Sequence, residues 1–478
     1  VILKNLYATF DWAGTRVEPT PLTDPRLLLV NHELASQMGL QGLSDRQWLE
    51  ITSGTRLPAG MEPFAQVYAG HQFGGYSPRL GDGRALLLGE VEAPDGQRWD
   101  LHLKGAGKTP YSRFGDGRAV LRSSIREYLA SEAMHYLGIP TTRALCLVGS
   151  DEPVYREEVE TGAALLRAAA SHVRFGHFEY FFYSGEEQHI AALLDYLIDT
   201  QWPDLTKDQQ GYAALFERVV ERTARLIAQW QAVGFCHGVM NTDNMSILGL
   251  TLDYGPYGFL DAYDPFHICN HSDHAGRYAY DQQPAVGFWN LQRLAQALSR
   301  LIPIEQLQEA LGKYEYGLLS TFSELMRQKL GLSGWQDEDP ELFRQMFELM
   351  AEQKVDYTAW FRRLSSLEAG HPVPEAILAL LAKPDAWQQW FRRYQARLAV
   401  EHREQAEKKA QMDLINPKYV LRNHLAEQAI KEAEQGNMGE CERLLAVLRR
   451  PFDEQPEAES YAQPAPEWAK QICVSCSS

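Results

Sequence analysis

The 478-residue chain carries 46 Lys and Arg against 63 Asp and Glu, a formal charge of −17, with 45% apolar and 23% charged residues. This is the composition of a globular protein with an ample core, and it leaves no case for extended disorder. The acidic balance argues against nucleic acid as a bulk partner, because that affinity comes from Lys and Arg neutralising phosphates.

No apolar run reaches the roughly 18 residues that span a bilayer. The opening VILKNLYATFDWAGTRVEP has neither the apolar stretch of a signal peptide nor the Arg-rich character of a transit peptide. Six cysteines, four of them scattered singly, make no secreted disulfide framework. A cytoplasmic protein without a membrane partner is expected.

From about residue 63 to 150 the pattern is strand-rich and punctuated by glycine. RALLLGEVEA, the turn PDGQ and RWDLHLKGAG predict a hairpin followed by a loop. RSSIREYLASEAMHYLGIP places Ile125, Leu129, Ala133 and Leu137 on one helical face and closes at Gly138 and Pro140. RALCLVG and EEVETGAALLRA predict two strands, the end of the second being open to a helical turn. Beyond about Arg167, HIAALLDYLIDTQWP, YAALFERVVERTARLIAQWQAVGF and FWNLQRLAQALSRLI all show helical periodicity. From about Pro303 to Lys470 more amphipathic helices follow, broken at NPKY and in PFDEQPEAESYAQPAPEW, which reads as a linker or extended tail. The expected class is α+β, with a strand-rich unit over 1–165, a helical unit over 166–330 and a helical C-terminal region over 331–478.

Gly-Asp-Gly-Arg occurs twice, at Gly81–Arg84 and Gly115–Arg118. Such turns let backbone N–H groups approach an anion with an arginine at hand; two ordinary Asp-Gly turns are the alternative. GAGKTP from Gly105 is not a P-loop, since His102 stands where the first Walker glycine is required. Lys104, ending the strand DLHLK, and Glu127, on the following helix, match the Lys–Glu pair that positions an ammonium on a phosphate oxygen. A solvated strand end for Lys104 and a capping box Ser124–Glu127 compete with that reading. If LLRAAASHVRFGHF is helical, Arg167 and Arg174 lie two turns apart on one face, an arrangement suited to a polyphosphate.

FCHGVMNTDNMSILGLTLDYGPYGFLDAYDP, from Phe235 to Pro265, fits the protein-kinase template H-R-D-x-x-x-x-N followed by D-F-G. His237, Asn244 and Asp253-Tyr254-Gly255 match. The position of the proton-accepting aspartate is Val239. Asn244 and Asp253 offer oxygens suited to Mg²⁺ or Mn²⁺, and Asp243 supplies a carboxylate off the usual base position.

HICNHSDH gathers His267, Cys269, His271 and His274. The spacing matches no familiar zinc pattern, and a substrate-side or structural loop after the D-F-G-like turn is the competing reading. The closing ICVSCSS holds Cys473 and Cys476. Thiols so spaced suit redox chemistry or a reversible disulfide, with Cys269 as a partner if the tail folds back; two ordinary tail cysteines are the alternative.

HQFGGYSPRLGDGRA, LKGAGKTPYSRFGDGRAVLRSSIREYLASEAM, RFGHFEYF, HGVMNTDNMSILGLTLDYGPYGF and CVSCSS together resemble the selenoprotein O family, kinase-like proteins of bacteria and mitochondria whose animal members carry selenocysteine near the C-terminus. The resemblance covers nearly the whole chain. It implies a two-lobed, protein-kinase-like fold with a helical C-terminal extension. The implied activity is protein AMPylation, the transfer of AMP from ATP to Ser, Thr or Tyr hydroxyls, with ATP reversed in the cleft. Carried onto this chain, nucleotide contacts fall to Gly81, Gly83, Arg84, Lys104, Asp116, Gly117, Arg167, Arg174 and Asp253. Glu127 pairs with Lys104, Asp243 accepts the proton, Asn244 and Asp253 hold the metal, and Cys476 stands at the selenocysteine position. With ATP reversed, the usual base position no longer faces the incoming hydroxyl, so Val239 costs the chemistry little. UTP as donor, a γ-phosphate kinase using Asp243, and a silent redox-responsive pseudokinase scaffold remain as alternatives.

Overall fold

The computed structural model describes residues 3–476 as a mixed α/β protein with an antiparallel sheet and many helices. Strands come first: β1 (Leu3–Lys4), β2 (Gly14–Arg16), β3 (Arg26–Val30), β4 (Phe64–Gln66), β5 (Gly70–Gln72), β6 (Gly75–Ser77), β7 (Ala85–Glu92), β8 (Arg98–Lys104), β9 (Ala119–Val120), β10 (Arg143–Tyr155) and β11 (Val159–Ala169). Nine of them form one sheet in the order β2-β4-β7-β8-β11-β10-β3, with β1 joined to β7 and β9 to β11; β5 and β6 make a separate hairpin. The β7–β8 hairpin lies where the alternation and the Pro-Asp-Gly-Gln turn predict it. Its turn closes through the Ala93 N–H on Gln97 O at 2.8 Å, with Gly96 at φ 85°.

One expectation fails at β11. The segment after Leu165 stays in the sheet to Ala169, paired with β8 on one side and β10 on the other. Ladder bonds on both edges override the helix propensity of the Ala-rich end. Arg167 therefore sits on a strand opposite His102, and Arg174 lies beyond the strand, just before a helix.

Helices α1 (His32–Gln37) and α2 (Asp45–Thr52) precede α3 (Leu121–Tyr136), which packs on β10 and β11. The capping box at its start does not form: no side chain caps the helix, and Ser124 Oγ is buried without a partner. Glu127 is buried instead. The helix ends where predicted, with Gly138 in the left-handed region at φ 78°.

The helical part opens with α4 (Phe175–Tyr183), α5 (Glu187–Gln201) and α6 (Gln209–Val233). Asp208 caps α6 by accepting the Gly211 N–H at 2.9 Å, and Gly234 stops it at φ 80°, where a side chain would meet the Tyr357 ring at 2.9 Å. Strands β12 (Phe235–Cys236) and β13 (Gly258–Phe259) bracket the motif segment, followed by α7 (Gln283–Leu298) and α8 (Ile304–Lys329).

The remaining helices are α9 (Asp339–Gln353), α10 (Tyr357–Leu364), α11 (Glu375–Leu378), α12 (Gln388–Ala399), α13 (Gln405–Ile415), α14 (Asn423–Glu434) and α15 (Gly439–Leu448). A second core centres on Trp360, Trp387 and Trp390. The buried Arg422 ties this region to the motif segment, with bonds to Asp261 at 2.9 Å and to Asp356 at 2.7 and 2.9 Å.

The stretch expected as a linker instead makes short 3-10 turns against the body, with Tyr461 OH donating to Glu440 at 2.7 Å. Among the described residues no helix is long and apolar enough to cross a membrane.

Candidate active site

After Gly234 the chain runs through β12 into His237, buried and stacked on Trp230. Its Nε2–H donates to Leu252 O at 2.9 Å while Nδ1 accepts the Val239 N–H at 3.3 Å, which fixes the neutral tautomer; burial lowers its pKa. A 3-10 turn over Thr242–Asn244 follows. Asn244 commits its amide Nδ2 to Val239 O at 3.0 Å, leaving Oδ1 for a ligand.

Asp243 is 8% exposed. Its Oδ2 accepts from Gln72 at 3.3 Å, and Oδ1 is buried without a hydrogen-bond partner. Desolvation, opposed by the Arg174 charge, pushes its pKa up to about 7. Two glycines make room for it: a Cβ at Gly70 would lie 2.3 Å from Asp243 Oδ1, and one at Gly176 would lie 3.3 Å from Asp243 Cα.

Beside it lies a buried charge cluster. Lys104 Nζ donates to Glu127 Oε2 at 2.6 Å. Arg167 Nη1 bridges Glu127 Oε1 at 2.9 Å and Asp253 Oδ1 at 2.7 Å, and its Nη2 donates to His102 Nδ1 at 2.7 Å. Arg174 pairs with Asp253 and donates to the Asp243 carbonyl at 2.8 Å. Desolvation alone would raise the Asp253 and Glu127 carboxyls. Arg174 and Arg167 nevertheless hold Asp253 well below the usual carboxylate range, and Lys104 and Arg167 lower Glu127. Lys104 is lowered by burial despite Glu127. Three cations thus face two anions, and the Nε–H groups of both arginines remain buried without partners. Asp253 sits at φ 55°, a left-handed conformation costly for a residue with a side chain. Arg167 and Arg174 converge on it from a strand and a helix start, not from one helical face.

Lys104, Arg167, Arg174, Asp243, Asn244 and Asp253 line one cavity of about 570 Å³, with Val239 beside them. Gly81, Gly83, Arg84, Asp116 and Gly117 line the same cavity. The two Gly-Asp-Gly-Arg turns differ. Arg84 is exposed toward the cavity, whereas Arg118 is spent on Glu152 and on the carbonyls of Thr20 and Pro21. Asp116 acts as an anchor, accepting from Arg156 at 2.8 and 3.1 Å and from the Arg118 N–H at 2.8 Å. Gly117 is held against the Gly105 loop, where a Cβ would lie 2.1 Å from Gly107 backbone atoms.

Sequence reasoning missed Gln72, Arg156 and His102. His102 had a readable signal: two residues before Lys104 on one strand, it shares that residue's face.

The cysteines separate. Cys476 lines the cavity and its Sγ lies 3.2 Å from Asn270 Nδ2; Cys269 lies 3.2 Å from Cys236; Cys473 is exposed in another cavity beside Trp468. Among the described residues no group of three or more His, Cys, Asp or Glu side chains could hold a metal, including the segment from His267 to His274. A divalent ion in the cavity would take one carboxylate from Asp253 and one amide oxygen from Asn244, with phosphate and water completing its shell. That donor set fits a hard ion.

The family profile described as protein adenylyltransferase SelO matches residues 8–449. The chain is 63% identical over 478 residues to the protein nucleotidyltransferase YdiU of Aeromonas salmonicida (strain A449), covering all of both chains. It is 54% identical over 468 residues to the protein of that name from Myxococcus xanthus (strain DK1622), covering 97% of this chain and 96% of the relative. The Vibrio vulnificus (strain YJ016) protein of that name is 54% identical over 469 residues, with 97% and 95% covered.

Proposed function

Because the chain belongs to the SelO family of protein adenylyltransferases, we propose that its cavity binds ATP in reversed orientation and transfers AMP to Ser, Thr or Tyr hydroxyls of proteins. The chain is a protein nucleotidyltransferase, so its two substrates are a nucleotide and a protein. The finer reading takes 1–165 as the sheet lobe of a protein-kinase-like fold, 166–330 as the helical lobe and 331–478 as a helical extension.

One observation carries it: a buried excess of positive charge faces the same cavity as a carboxylate pushed up to about 7, while an apolar residue, Val239, holds the usual base position. Lys104, Arg167 and Arg174, joined by Arg84, line the cavity with positive charge that suits the triphosphate. Gly81, Gly83, Asp116 and Gly117 shape the walls. Entering phosphates compete with Asp253 for its two arginines, which frees carboxylate oxygen. Asn244 and Asp253 would hold Mg²⁺ or Mn²⁺; such an ion, when bound, neutralises charge on phosphate oxygens.

Asp243, as carboxylate, takes the proton of the acceptor hydroxyl. The hydroxyl oxygen bonds to the α-phosphorus, the bond from that phosphorus to the β-bridging oxygen breaks, and pyrophosphate leaves. Lys104 and the arginines stabilise the charge that grows on the leaving group.

The test is a paired labelling assay with Mg²⁺ or Mn²⁺ and ATP labelled at either the α- or the γ-phosphate, with UTP in parallel. Label reaching protein from the α position alone is expected. Label from the γ position alone would make the chain a kinase with a displaced base, and label from neither would leave a scaffold.

A further inference from the structure

A second cavity, of about 920 Å³, opens beside the nucleotide cleft and takes no part in the transfer described above. Its walls are the segment from Phe266 to Gln282, the start of α7 and the tip of the β5–β6 hairpin. Phe73, Phe266, Ile268, Val286 and Trp289 give it an apolar lining. Three of these are large side chains left in water: Phe73 is 44% exposed, Phe266 72% and Ile268 43%. Exposed apolar surface gathered in one concavity marks an interaction site.

Phe73 lines both cavities, so the groove borders the cleft at that residue. The residue before it, Gln72, donates to Asp243. Phe73 also sits at φ 49°, a left-handed conformation in which an aromatic residue is strained and glycine is not. Its N–H is held there by Tyr278 OH at 2.9 Å and Asn241 Oδ1 at 3.3 Å. The positive φ belongs to the two-residue turn Phe73-Gly74 that joins β5 to β6, with Gly74 at φ 83°, and the turn presents a ring that packs on Tyr278 at 5.2 Å while staying half in solvent. Opposite, the Trp289 ring is fixed as a wall by the guanidiniums of Arg277 and Arg293, 4.7 and 4.9 Å from its centroid.

We propose that this groove docks an extended segment of the protein substrate, seating a bulky apolar side chain that lies close in sequence to the acceptor hydroxyl. The inference rests on the transfer reading above and adds the recognition element. Asp243 is nearly buried and lines the cleft that Phe73 borders, so an acceptor hydroxyl bound at Asp243 lies in the same cavity as Phe73. Residues flanking the acceptor then pass Phe73, and alternate side chains of an extended peptide point to one wall.

The experiment uses the full chain, α-labelled ATP and short synthetic peptides with one Ser, Thr or Tyr in an Ala-Lys background, a single leucine being walked through the other positions. One leucine position is expected to raise kcat/KM about tenfold or more. That gain is expected to vanish in Phe266→Ser and Ile268→Ser, both of which keep wild-type ATP affinity. Phe73→Gly is expected to lose the gain with no fall in Tm, which separates docking from folding. Equal labelling at every leucine position, or a gain that survives in Phe266→Ser and Ile268→Ser, overturns the groove and leaves the transfer reading intact. Absence of α-label on every acceptor overturns both.

Discussion

Replacing Gly70 by alanine should cripple transfer with a single methyl group. Gly70 has an ordinary backbone conformation, so alanine brings no dihedral strain, and the whole cost lies in contact. The new Cβ would stand 2.3 Å from Asp243 Oδ1 and 2.8 Å from its Cβ and Cγ, where ordinary contact begins at 3.4 Å. The carboxylate must retreat by about 1.1 Å. Its main chain cannot follow freely, since Arg174 holds the Asp243 carbonyl and Gly176 packs on its Cα. A displacement of about 1 Å at a reacting group costs about 100-fold in rate, equivalent to about 2.7 kcal/mol of barrier. The assay is steady-state transfer from α-labelled ATP, with ATP affinity and Tm measured on the same preparation. Gly42→Ala serves as control, because nothing lies within 4 Å of its added Cβ. A Gly70→Ala enzyme with kcat within about threefold of wild type, or one whose ATP affinity falls as far as its kcat, would refute the placement of Asp243 as proton acceptor.

On the proposed role of Asp243 as proton-accepting carboxylate, with its pKa pushed up to about 7, transfer should rise with pH up to about 7 and then level; a profile flat from pH 5 to 8 would remove it from the step. The same shift has a stability sign. The folded-state pKa lies above the ordinary 3.8, so the group stabilises the fold most in acid and that contribution is lost as pH rises toward about 7. Asp243→Asn should flatten the change in urea midpoint across that window. Lys104→Met should abolish transfer, as should Asp253→Ala. The second also leaves Arg174 without its ion partner, while Arg167 keeps Glu127, at a cost of about 3–5 kcal/mol in urea unfolding that ATP or pyrophosphate partly restores; unchanged stability would refute the strong pairing of Arg174 with Asp253. Arg422→Ala leaves Asp356 and Asp261 unpaired and should destabilise by a similar amount of about 3–5 kcal/mol without changing ATP affinity in the surviving fold.

The motif His237, Asn244 and Asp253 was legible because its members lie close in sequence and their spacing is set by one turn and one short strand pair. Lys104 and Glu127 were legible as a strand end and a residue of the following helix, whereas the competing capping reading of Glu127 falls because the helix begins at Leu121 and Glu127 pairs with Lys104 at 2.6 Å. Arg167 and Arg174 both line the cavity, but not from the one helical face considered for them, since Ala-rich sequence carries helix propensity and only pairing with β8 and β10 makes it a strand. The hairpin from Gly70 to Ser77 escaped notice as a part of the site. Its contacts with Thr242 and Asp243 join residues 171 apart in sequence, and no local pattern announces them.

Glu127 rides on α3, and the setting of that helix has a consequence for control. In two-lobed phosphotransferases the matching helix can swing, parting the Lys–Glu pair and silencing the site. Here the sheet covers one side of α3 while α14 and α15 cover the other, and twelve of its sixteen residues are buried. Arg126 is bonded to the Tyr257 carbonyl at 2.7 Å, and Arg122 to Glu427 at 2.5 Å. Withdrawing Ile125, Tyr128, Leu129 and Met134 alone would cost on the order of 6–12 kcal/mol, comparable with the stability of a whole domain. The helix is a foundation stone and not a lever: a swing that parted Lys104 from Glu127 would have to break this packing on both the sheet and the C-terminal helices.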